Sequence, residues 1–75
     1  MTLGELKDEI EYLLEHEGVS ENASVLLAHQ PNWPFEYSIN SMAAIQDDSG
    51  NQTIYMEEGS QLGYLNDQAK EAIGW

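Results

Sequence analysis

The chain contains no cysteine and no arginine, and its only two lysines, Lys7 and Lys70, stand against fourteen acidic residues. Without cysteine there is no disulfide framework and no thiolate metal site, which removes two of the devices that hold small domains together. The formal net charge of −12 leaves nothing that could neutralise a row of phosphates, and it repels nucleic acid and an anionic membrane surface, so neither is an expected partner. Long apolar runs are missing as well, and no segment approaches the roughly 18 apolar residues of a membrane span. The opening MTLGELKDEI carries acids where a secretion signal would carry a basic stretch and an apolar run, so the expected location is the cytoplasm. Seventy-five residues make a single domain, 1–75, and a domain of this size hides only about 60% of the surface its unfolded chain exposes. Among the usual remedies for so thin a core a second copy of the chain remains, which makes a homodimer an expectation.

What the sequence does hold is a clear order of elements. From Thr2 to about Glu17, Leu3, Leu6, Ile10, Leu13 and Leu14 recur at helical spacing. Thr2 and Glu5 form an S/T-x-x-E capping box, Met1 and Leu6 are placed as a hydrophobic staple, and Gly18 is the stop, with Val19 folding back on the stripe. The apolar run Ser24 to His29 predicts a strand buried on both faces and central in a sheet. Pro31 and Pro34 bar its continuation and shape a rigid loop. Alternation over Glu36–Gln46 predicts a second strand and Thr53–Met56 a third, joined as a hairpin through Asp47-Asp48-Ser49-Gly50-Asn51. From Gly59 a loop is expected, followed by a short helix with Asn66 as its cap and Gly74 as its end. The fold class is therefore α+β, with an N-terminal amphipathic helix packed on a small three-stranded antiparallel sheet in the order α-β-β-β-α.

Two surface features bear on function. Glu5, Asp8, Glu9, Glu11 and Glu15 fall within roughly a 160° arc opposite the leucines, at a cost of about 1–2 kcal/mol from like-charged neighbours. A solvated face kept for solubility, adaptation to salt, and imitation of a nucleic-acid backbone all fit that arc. The helix rises about 18 Å between Glu5 and Glu17, a length over which one DNA strand places five or six phosphates. The second feature is Trp33, Phe35 and Tyr37 on the proline-bracketed loop. Stiff loops carrying aromatics make good protein-binding anchors, and Trp33 and Phe35, like Trp75, could instead cap a small core.

The block Leu27-Ala28-His29-Gln30-Pro31-Asn32-Trp33-Pro34-Phe35-Glu36-Tyr37-Ser38-Ile39, with Glu58–Leu65 and the closing Gly74-Trp75, resembles a family of small acidic proteins from actinobacteria and their phages and mobile elements. The likeness covers about half the chain. That family has no established activity, so the resemblance supplies no site residues and implies only an accessory protein of a mobile element.

Catalytic and metal signatures are weak. Asp47–Asn51 lacks the ligand order and closing bidentate Glu of a calcium loop, and a hairpin turn accounts for it. His16 and His29 lie in different elements with no zinc spacing. His29 with Glu36 or Tyr37 is the only constellation worth inspecting for catalysis, and a hydrogen bond from His29 to the loop explains the same residues. The reading that follows is a small non-enzymatic protein with no cofactor and no catalytic or metal residues. It binds a basic protein surface through Trp33, Phe35 and Tyr37, with the acidic face steering encounter. A nucleic-acid mimic that blocks a DNA- or RNA-binding protein is the alternative, and a purely self-associating domain the third.

Overall fold

The computed structural model describes all residues from Met1 to Trp75 as α1 (Leu3–His16), β1 (Leu26–Ala28), β2 (Phe35–Gln46), β3 (Gln52–Tyr64) and α2 (Asp67–Ile73). The element order is the α-β-β-β-α expected, with one three-stranded antiparallel sheet. No helix is long and apolar enough to cross a membrane.

α1 begins where its capping chemistry dictates. The Thr2 hydroxyl accepts from the Glu5 N–H at 3.0 Å, and the Glu5 carboxylate accepts from the Thr2 N–H at 3.2 Å, closing the capping box. The staple does not form, because Met1 stays 89% exposed. Gly18 adopts φ 65° beyond the last turn, and the half-buried Val19 returns its N–H to the Leu13 carbonyl at 3.1 Å. α2 ends in the same economical way. Asn66 caps it by accepting from the Ala69 N–H at 2.7 Å, Gly74 takes φ 82°, and Trp75 N–H closes on the Lys70 carbonyl at 2.7 Å.

The sheet is a meander, β1-β2-β3, so β2 rather than β1 is its central strand. The expectation that Ser24–His29 forms the middle strand fails because the proline loop turns β1 straight back onto the first residues of β2. Only three pairs form, Leu26↔Ser38, Leu27↔Tyr37 and Ala28↔Glu36. The other flank of β2 belongs to β3, which runs far past Met56. The loop expected from Gly59 is strand, and successive register shifts between Glu36 and Ser41 let it follow β2 as far as Tyr64.

Beyond the short β1, the outer halves of β2 and β3 form a two-stranded ribbon with register Gln46↔Gln52, Ala44↔Ile54 and Met42↔Met56. Its tip is organised by Asp47, whose Oδ1 accepts from the N–H groups of Ser49 at 2.9 Å and Asn51 at 3.0 Å. Led by the Asn51 backbone bond, these contacts hold the carboxyl below its ordinary pKa of 3.8. A depressed carboxylate pKa means support that is present above 3.8 and lost as pH falls through that value toward the folded one. The Ser49 and Asn51 amide resonances are therefore expected to shift together below that pH, and the turn to loosen. In Asp47→Asn this acid-dependent step should vanish; an unchanged titration would show that Asp47 does not organise the turn.

The two layers do not close on one another. Leu6 and Leu14 are half-buried, but Leu3, Ile10 and Leu13 of the α1 stripe are exposed. An open cleft of about 540 Å³ separates Met1–Leu3 from Ala44 and Ile54 of the ribbon. Leu65 is the only buried residue of the chain, at 8% exposure.

Candidate protein-binding surface

The proline loop is built from short local contacts. The Gln30 side chain, half-buried, braces it from within: its Oε1 accepts from the Asn32 N–H at 2.9 Å and its Nε2 donates to the Trp33 carbonyl at 3.4 Å. His29 N–H bonds the Phe35 carbonyl at 3.0 Å across the base of the loop, and Phe35 N–H bonds the Trp33 carbonyl at 2.7 Å. A last strut comes from the far end of β3, where Leu65 N–H donates to the Pro34 carbonyl at 2.7 Å. Proline at positions 31 and 34 adds fixed φ angles to these bonds, so little freedom is left in the loop backbone.

The three aromatics separate into two roles. Trp33 stands 63% exposed at the top of the loop, and the reading in which it caps the core is therefore corrected. Trp75, 40% exposed, likewise does not seal a core. Phe35 is half-buried and stacks on Tyr64, its direct cross-strand neighbour, with ring centroids 4.5 Å apart. Tyr37 is half-buried too, meeting His29 edge-on at 5.5 Å and donating its hydroxyl to Gln61 Oε1 at 3.3 Å. Phe35 and Tyr37 thus support the loop, and Trp33 alone presents a large free apolar surface on it. The His29 backbone, rather than its ring, makes the loop hydrogen bond.

On α1 the five outward acids are exposed, but they are not equivalent. Glu5 is committed to the capping box, and Glu11 sits 3.7 Å from Lys7 in a solvent-exposed pair of small energetic value. Asp8, Glu9 and Glu15 make no side-chain hydrogen bond or ion pair and stay free. Tyr12 and His16 lie among them with their rings tilted at 34° and centroids 5.2 Å apart. The remaining carboxylates are scattered over other elements, with Asp48 at the ribbon tip and Glu71 on α2. Glu57 is clasped by Asn40 Nδ2 at 2.8 Å and by the Ser41 hydroxyl at 3.0 Å.

Two arrangements escaped the sequence reading. The Glu57 clasp depends on a register offset that alternation alone does not reveal. The second is a notch between β2 and β3, in which Gly59 lies directly under Ser38 and the Ser38 hydroxyl accepts from the Ser60 N–H at 2.9 Å. A glycine inside a strand pattern is a usual mark of such close approach, and that was the available signal. Comparison of this chain with protein families, with characterised proteins and with solved structures finds no match.

Proposed function

We propose that this chain is a small non-enzymatic accessory protein that acts by binding another protein, with Trp33 as the anchor and the negative surface steering a basic partner. The observation that carries this reading is Trp33 itself, a large aromatic left open on a loop braced from both sides by Gln30 and Leu65. A rigid aromatic buries much area at little entropic cost, which is the property of interface anchors. Distributed charge on a net −12 chain adds speed and sign selectivity to encounter rather than a binding geometry of its own. What favours steering over imitation of a phosphate backbone is this distribution. On α1 only Asp8, Glu9 and Glu15 are free of side-chain partners, and the other acids lie outside the helix or are engaged.

The test is a side-by-side capture from the native host with tagged wild-type chain and Trp33→Ala. The expected result is a partner retained by the wild type and weakened by at least about 30-fold in the variant, the range of an interface hot spot. Its association rate should also fall with added salt. Recovery of the same proteins in the same amounts by both chains would end this reading.

A further inference from the structure

The accessible surface of the chain is 6288 Å², whereas a compact monomer of its 8.4 kDa mass exposes about 4,600 Å². The radius of gyration agrees, at 14.6 Å against about 11 Å for a compact domain of 75 residues. The excess surface is about 1,700 Å² per chain, and two chains that hid it against each other would bury an area in the range of obligate homodimers.

The location of the open apolar surface selects the occupant. By strand alternation and register, Met42, Ala44 and Gln46 of β2 share one face of the ribbon with Gln52, Ile54 and Met56 of β3. None of the six is charged, and Met42 is 52% exposed. Continuing the alternation along β3, the first carboxylate is Glu58, at the inner rim of the patch. Next to this face, across the unfilled cleft, lies the start of α1, whose stripe residues Leu3 and Ile10 are open as well. A basic protein would be drawn to the carboxylates, which this face lacks. A second molecule of net charge −12 can approach closely only where neither surface carries charge, and a neutral apolar patch lets two such chains meet without burying like charges. The opposite ribbon face holds the open Ile45 and Tyr55, but it is Ala44 and Ile54 that adjoin the open Leu3 of α1.

We propose that a second copy of this chain covers the Met42–Ile54 face of the ribbon together with the exposed leucine stripe of α1. This surface is distinct from the Trp33 loop, so the dimer and the partner-binding reading stand or fall separately.

Sedimentation equilibrium of the full chain from micromolar to millimolar concentration tests it. The expected species is twice 8.4 kDa, with a thermal midpoint that rises with chain concentration. Met42→Glu places a carboxylate from each chain in the covered face and is expected to weaken association by at least about 30-fold. Tyr55→Glu, on the opposite ribbon face, should leave it unchanged. Because Met42→Glu could also unfold the ribbon, isotope-filtered NMR on mixed labelled and unlabelled wild-type chains reads the same face without a substitution. Methyl contacts between chains from Met42, Met56 and Leu3 are expected. A monomer at every concentration overturns the proposal, whatever the form of its melt. So does a dimer that dissociates with Tyr55→Glu but not with Met42→Glu, or one without those methyl contacts.

Discussion

Gly59→Ala is expected to cost the fold more than any other single methyl group in the chain. A Cβ at this position would overlap the Ser38 hydroxyl and stand 3.0 Å from the Ser38 carbonyl oxygen and 3.3 Å from its carbon. The hydroxyl could rotate away, but it would then abandon the Ser60 N–H that it accepts at 2.9 Å. The carbonyl cannot move without shifting β2, and Ser38 sits where β2 also pairs with Leu26 of β1. Overpacking of this kind costs about 1–3 kcal/mol, and the lost hydrogen bond adds about 1 kcal/mol. A domain of 75 residues holds roughly 4–11 kcal/mol in total, so a fall in melting temperature of about 10–25 °C is expected. Ser38→Ala removes only the acceptor and should cost about 1 kcal/mol. Combined with Gly59→Ala it should recover part of the loss, because the hydroxyl contact is relieved while the carbonyl contact remains. Thermal unfolding of the two single variants and the double variant measures this, and a Gly59→Ala chain as stable as the wild type would mean that the strands do not approach so closely here.

The notch also explains why sequence reading stopped short in this half of the molecule. Alternation over Glu36–Gln46 located β2 within one residue, and helix caps at Thr2 and Asn66 with stops at Gly18 and Gly74 placed both helices. These signals are local: a capping hydroxyl needs an N–H only two or three residues away. β3 beyond Met56 is different. Its pairing with β2 passes through register shifts near Tyr37 and Ile39, and Gly59 and Gly63 interrupt the apolar pattern that would have announced a strand. The central place expected for Ser24–His29 fails for a related reason, since the apolar content of that segment says nothing about how few of its residues pair with β2.

The candidate binding surface was legible as a segment but not as a geometry. The proline bracket and the cluster of Trp33, Phe35 and Tyr37 are visible in the chain. Which aromatic points outward is decided by partners far away in sequence, Tyr64 for Phe35 and Gln61 for Tyr37. Likewise the five acids of α1 follow from helical periodicity, whereas the engagement of Glu5 in the cap and of Glu11 with Lys7 separates them only in three dimensions.

Leu65→Ala carries the second large effect. Leu65 is the one buried residue of the chain, and it joins the end of β3 to the Asn66 cap of α2. Pro34 through Ile39 form an unbroken half-buried stretch, so this end of the sheet is where the chain comes nearest to a core. Truncating a buried leucine to alanine costs about 2–5 kcal/mol, and a site with so few neighbours to leave behind falls near the lower end, at about 2–3 kcal/mol. Leu62→Ala, three residues earlier and 53% exposed, should stay within about 0.5 kcal/mol of the wild type. Because the Leu65 N–H holds the Pro34 carbonyl through its backbone, the strut beneath Trp33 keeps its donor in the alanine variant. Trp33 should therefore retain its exposure and mobility below the lowered melting temperature, and fluorescence quenching of a Trp75→Phe background isolates that signal. Equal stability of Leu65→Ala and Leu62→Ala would place the stabilising contacts of this chain elsewhere than at the base of its loop.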